Sequence, residues 1–403
     1  MNLLTDGIAS GAVIKTALSR KLTLDGNTAA YPVYKIRLDI LFFNDQNDRI
    51  ASWISEYRTK NGGASVNLSD KEAYNAIIED FIVKSNPSEI KKTQSNIELV
   101  DQREPGVVLL DGRVIDGNRR FSCLRRLKEK NDRFNYFEAI ILERDIENNA
   151  KQIKMLELSV QHGEESRVGY NPIDRLAGIY NDIIKTKLLS PAEYAKYSGE
   201  SELETKKRIE LAELLVEFLD FINVPLQFHV ARDMGIFDSI SELPALIRKC
   251  RSDDDAQSMK HIVFTNLLMR SEGYMRQIVR DCKKIVGTEY QDEFFEEQLE
   301  IAERVIDALP PTEQMSDRLI RDEIRADESI VQELARSMDK TMTKVKKTEV
   351  RNQPIKLAEK ATEFLESIDM NILKKMSDSD VQRMLRQLKL LEEAALQVRG
   401  GLE

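Results

Sequence analysis

Apolar residues recur along this chain in two rhythms, and the change falls near residue 146. Before it, short apolar runs alternate with turn signals. "YPVYKIRLDILFFN" (residues 31–44) has the period-two texture of a strand and ends in the polar "NDQNDR". In "RIASWISEYRTKNGG", Ile50, Trp53, Ile54 and Tyr57 take helical spacing until Gly62 and Gly63 stop it. "SDKEAYNAIIEDFIVKSN" predicts a second helix, capped by Ser69 with Glu72 three residues on. "PGVVLLDGRVIDGNRR" then predicts a strand, an Asp-Gly turn, a short strand, and a second Asp-Gly turn that opens a helix. "YFEAIILERDI" supplies one more strand. Alternating strands and helices predict a small α/β domain.

After residue 146 the glycines thin out and helical spacing runs to the end. "NPIDRLAGIYNDIIK" predicts a helix with Pro172 in its first turn behind Asn171. "SPAEYAKYSGESELETKKRIELAELLVEFLDFI" holds two or three helices broken near Gly199, and "SDDDAQSMKHIVFTNLLMR" opens on acidic capping residues. "LPPTEQ" (residues 309–314) reads as a linker. Two long amphipathic helices follow, interrupted at Pro354 and restarted by a cap at Ser377 or Asp378. Their apolar repeat is not a clean sustained heptad, so no long coiled coil is expected, although the tail could pair with itself or with a second copy.

Composition narrows the function classes. Hydrophobic residues at 41% and charged ones at 32% describe a globular chain, not a disordered one. The net charge of −9 supplies no global field for nucleic acid, so any DNA contact must be a local patch. Three scattered cysteines and three histidines argue neither a disulfide framework nor a zinc site, and a reducing cytoplasm is the expected compartment. The first residues lack the basic-then-apolar order of a signal peptide, and no run approaches the ~20 apolar residues of a membrane span.

One stretch carries a physical conflict. In "LLDGRVIDGNRRFSCLRRLKEK", the helix opens with Asn118, Arg119 and Arg120. Cations at a helix N-terminus oppose its dipole, whereas an anion there is favoured. Asp116 and Gly117 make the turn, and Gly117 leaves room for a ligand beside the free N–H groups. A phosphate resolves the conflict. The plainer alternative is that the arginines pair with nearby carboxylates. Asp111, Asp116 and Glu138 are imaginable metal ligands for a nuclease, but turn aspartates usually serve as local caps.

The same residues resemble the ParB/sulfiredoxin superfamily, whose "dG-x-xiDG-x-R-R" segment forms a phosphate-binding turn. The resemblance covers the first half of the chain. "NDR" at Asn47, Asp48 and Arg49 is similar to the family's N-x-R box, and "NPIDRLAG" to its "N-P-I-E-x-A" helix. Glu157 and Gln161 in "ELSVQHG" stand nearest the family's second phosphate motif, Glu-Asn-x-Gln-Arg, but four residues apart rather than three, and His162 stands where the family has Arg. Arg167, in the longer loop that follows, is the nearest replacement cation. Sulfiredoxin's catalytic cysteine has Asn118 in its place, so redox repair is rejected, and Cys123 is expected to be a buried structural residue.

The resemblance implies a ParB/Srx-type α/β domain over residues 31–165 behind an extension of residues 1–30. A helical domain over 166–308 and a helical tail over 312–403 follow. It further implies a nucleotide site of Asp116, Gly117, Asn118, Arg119, Arg120, Arg49, Glu157 and Gln161, taking a nucleoside triphosphate, CTP or ATP, with Mg²⁺. Residues 188–215 resemble the family's helix-turn-helix, with Ala195 and Gly199 four apart and Lys206, Lys207 and Arg208 as DNA contacts. Glu200, Glu202, Glu204 and Glu210 would repel phosphates there. The implied function is a nucleotide-switched, DNA-associated protein of partition, phage or mobile-element type. The alternatives are a slow triphosphatase or nuclease on the same fold, with no catalytic residue assignable, and a non-catalytic adaptor that assembles partners, or a homodimer, through its helices. No membrane partner is expected.

Overall fold

The second strand and the fifth meet different neighbours, and that decides the topology. In the computed structural model, which describes residues 1–24, 26–163, 171–269 and 275–403 (side chains of 146, 147, 161–163 and 317 excepted), β1 (Val13–Leu24) and β2 (Asn27–Arg37) form a long antiparallel hairpin. β3 (Phe42–Phe43), β4 (Gly106–Leu109), β5 (Arg113–Asp116) and β6 (Tyr136–Leu142) complete a mixed six-stranded sheet in the order β1-β2-β6-β4-β5-β3. Val33 pairs with Ile140 across β2 and β6, whereas Phe43 pairs with Val114 across β3 and β5. The single strand predicted over residues 31–44 is therefore two strands at different places in the sheet. A 3-10 turn, Leu38–Ile40, makes the crossing. The residues expected to be an extension carry β1.

Buried alternation fills both faces of the sheet. Val108, Val114 and Ile141 belong to one apolar cluster with residues of α1 (Ala51–Lys60), α2 (Lys71–Ser85), α3 (Pro87–Val100) and α4 (Asn118–Lys128). Val107, Ile115 and Ile140 belong to the other, against Ile153, Leu156 and Val160 of α5 (Ile146–Gly163). Strands buried on both sides read as continuous apolar runs, as β4 and β6 do. The cap of α2 is Asp70 rather than Ser69, a shift of one residue.

The chain then turns helical. α6 (Pro172–Ile179) starts at the predicted proline. α7 (Pro191–Ser198) carries a Ser190–Glu193 capping box, and Gly199 ends it in the left-handed region before α8 (Glu202–Phe221). Helices α9 (Phe228–Asp233), α10 (Phe237–Ile247), α11 (Asp253–Met269), α12 (Met275–Ile285), α13 (Gln291–Ala308) and the short α14 (Asp317–Leu319) continue this half. The last elements are α15 (Glu328–Glu366), α16 (Met370–Leu373) and α17 (Asp378–Gly400), the latter capped by Ser377 as predicted. Pro354 lies inside α15 and does not end it. A proline removes one intrahelical hydrogen bond, and the carbonyl it orphans belongs to exposed Val350, within reach of water.

Two compact units divide the chain, Met1–Thr341 and Met342–Glu403. Sheet and helical half share the first. Among the described residues no helix is long and apolar enough to cross a membrane.

Candidate functional site

Parallel pairing of β3 with β5 brings two of the predicted segments to one end of the sheet. Val114 lies beside Phe43, so the chain leaving β5 into the Gly117 turn starts next to the chain leaving β3 towards Asn47, Asp48 and Arg49. Phe121, on the first turn and a half of α4, packs at 4.6 Å from Phe43 and 5.8 Å from Phe137, which fixes the helix against the sheet. Gly117 takes φ +90°, and a Cβ there would stand 2.9 Å from Cζ of Phe137. Both conformation and space therefore require glycine at this elbow.

α4 has no side-chain cap. Asn118 is 8% exposed; its Nδ2 donates to the Ile115 carbonyl at 3.4 Å, and its Oδ1 is buried with no hydrogen-bond partner. The arginines around the elbow are engaged with carboxylates. Asp116 Oδ2 accepts from Arg120 Nη2 at 3.1 Å and from Arg20 Nη1 at 3.2 Å, and Arg120 Nη1 also donates to the Glu104 carbonyl. Arg119 Nη1 lies 3.8 Å from Glu89 Oε2. Among the described pairs, three guanidinium groups, of Arg20, Arg119 and Arg120, thus gather around the carboxylates of Asp116 and Glu89 in a chain that is acidic as a whole.

Of the two residues matched to the second motif, Glu157 is the one whose side chain is described. Glu157 is 2% exposed and points to Lys154, one turn earlier on α5, at 3.6 Å. Lys154 also meets Asp48 at 2.6 Å and Asp182, in the π-helical turn Tyr180–Lys185, at 3.2 Å. One buried ammonium serves three carboxylates. Burial by itself would lower the Lys154 pKa, but Asp48, Glu157 and Asp182 outweigh it and hold the group well above the usual lysine range. Burial pushes the Asp182 carboxyl up to about 7 despite the attraction of Lys154. Nearby, burial raises Asp174 to about 6, although it accepts the Ser52 N–H at 2.6 Å. Gly178 lets this layer close, because a Cβ there would stand 2.5 Å from Asp48 Cγ.

This cluster borders an open cleft of about 900 Å³ whose lining includes Asn47, Asp48, Arg58, Asp182, Lys185 and Gln227. The elbow residues do not line it. Asn47 and Asp48 of the predicted N-x-R box are therefore part of the cleft wall, whereas Arg49, in the 3-10 turn Asp48–Ile50, is not among its lining residues. Gln161, by its side chain, and Arg167 lie outside the described residues.

In the helix-turn-helix-like segment, Lys206 and Lys207 are exposed on α8. Arg208 turns back to Glu200 at 3.2 Å and Glu204 at 3.5 Å, and Arg175 also pairs with Glu200. Of the carboxylates weighed as metal ligands, Asp111 faces Arg113 and Glu138 faces Lys35, and among the described residues no group of three or more His, Cys, Asp or Glu is placed to hold a metal. Cys123 is buried, and burial pushes its thiol up to about 12, which leaves it unreactive.

Arg20, Lys154, Asp174 and Asp182 were not singled out by sequence reasoning. Arg20 reaches Asp116 across ninety-six residues, a pairing with no local signal. Lys154 had one: it sits in "IKMLEL" between Ile153 and Leu156, both buried against the sheet. No family model and no curated protein matches this chain.

Proposed function

We propose that this is a ParB-like, nucleotide-binding and DNA-associated protein whose switch is the Gly117 elbow. A nucleoside triphosphate, CTP or ATP with Mg²⁺, places its phosphates on the free N–H groups at the start of α4. Arg119, Arg120 and Arg20 supply charge and bidentate forks. The observation that carries the reading is the uncapped helix start, with a buried Asn118 Oδ1 in want of a donor that a ligand hydroxyl supplies and arginines gathered beside it. Asp116 occupies two of the guanidinium groups, so an entering phosphate must take them from it. Because Arg20 belongs to β1 and Arg120 to α4, that exchange of partners reports nucleotide to two elements at once. Hydrolysis is not required. Lys206 and Lys207 on α8 are the DNA contacts of this reading.

A second reading, the non-catalytic adaptor, is favoured by the pairing of Arg208 with Glu200 and Glu204, together with the acidic first turn of α8. Thermal denaturation with CTP, ATP or GTP, with and without Mg²⁺, separates the two. The switch predicts a Tm rise with at least one nucleotide, lost in the Arg119→Ala/Arg120→Ala variant. No rise with any of them selects the adaptor.

A further inference from the structure

The tail is built differently from the rest of the molecule. Among the described residues, fourteen of twenty-one exposed large apolar ones lie in residues 342–403, and α17 buries none of its residues. Within α17, Val381, Met384, Leu388, Leu391, Ala395 and Val398 fall in a three-four alternation and form one row of a and d positions over nearly three heptads, with Leu385, Leu390 and Leu396 outside it. Such a row belongs to a helix pair; here Leu388, Leu391, Ala395 and Val398 are exposed and Val381 and Met384 half-buried.

We propose that a second copy of this chain covers the row, with the two α17 helices antiparallel about a twofold axis between positions 389 and 390. In that register every a residue meets a d residue. Val381 meets the partner's Val398, Leu388 meets the partner's Leu391, and bulky Met384 meets the small side chain of the partner's Ala395. The flanking charges agree. Asp378, in the acidic first turn, comes beside the partner's Arg399, whose contact with Glu403 inside its own chain is 3.6 Å between highly exposed groups. Antiparallel dipoles add to the fit.

Two other arrangements of the row are opposed by charge. A parallel pair would set Asp378 and Asp380 against their own copies. A hairpin with α15 of the same chain would lay that acidic turn beside Glu363 and Glu366, at the end of a helix with no basic residue in its last turn. The antiparallel pair is isologous, the same surface serving both copies, and it closes at two.

Light scattering with size exclusion on the full chain reads the stoichiometry, and a dimer mass is expected. Leu388→Asp with Leu391→Asp should return a monomer, and since both residues are exposed in the single chain its helical circular dichroism should persist. Orientation is read in a Cys250→Ser background under mild oxidation. Met384→Cys with Ala395→Cys should cross-link into a covalent dimer, and neither single variant should, because like positions then lie about 16 Å apart along the axis, beyond disulfide reach. A monomeric wild type, a dimer untouched by the aspartates, or cross-linking by the Met384→Cys variant alone would each overturn the proposal.

Discussion

Two charged clusters in the first unit invert each other. At the elbow one carboxylate, Asp116, is shared by Arg20 and Arg120. At the cleft one ammonium, Lys154, is shared by Asp48, Glu157 and Asp182. Guanidinium groups stay protonated throughout the accessible pH range, so the elbow answers to anions rather than to pH. Carboxyl groups can take up a proton, and burial makes Asp182 do so near neutrality. The first cluster is therefore suited to binding and the second to titration.

The largest effect should come from removing the shared cation. Lys154→Met strands three buried carboxylates and is expected to destabilise the fold by about 3–5 kcal/mol, read from urea denaturation. Adding Asp182→Asn should recover part of that loss, a coupling that independent sites would not show. Next comes the elbow. Gly117→Ala combines a left-handed backbone with contact against Phe137, and about 2–3 kcal/mol should be lost.

A comparable effect should separate the clusters by pH. The folded pKa of Asp182, about 7, lies above its ordinary value of 3.8. Its contribution to stability is fully present below the unfolded value and is lost as pH rises through 7. Asp182→Asn should accordingly gain on the wild type between pH 5 and pH 8, by roughly 2–3 kcal/mol, and denaturation curves at the two pH values measure it. A parallel pH response in both proteins would place the titration elsewhere.

What the sequence disclosed and what it withheld follow from range. The elbow was legible because it is local: a glycine turn between an apolar strand and an arginine-led helix spans a few residues, and β4, β5 and α4 stand where the pattern put them. The capping box at Ser190 and the stop at Gly199 are local in the same sense. Residues 31–44 misled because alternation reports an extended backbone but not its neighbours, and here the partner changes from β6 to β5 within one apolar run. Glu157 was placed on the correct helix, yet its orientation depends on Asp48 and Asp182, from segments more than a hundred residues and twenty-five residues away in the chain. Pro354 shows a third limit. A breaker interrupts a helix only where the orphaned carbonyl lacks another partner, and an exposed helix offers it water.

The central claim is that Asp116 stands in for a phosphate at the elbow. Calorimetric titration of the wild type and of Asp116→Ala with the same nucleoside triphosphate, at one ionic strength, tests it directly. The account predicts saturable binding to the wild type and binding about tenfold tighter to the variant, in which Arg20 and Arg120 have lost their internal partner. No saturable heat from either protein, or weaker binding by the variant, would contradict it.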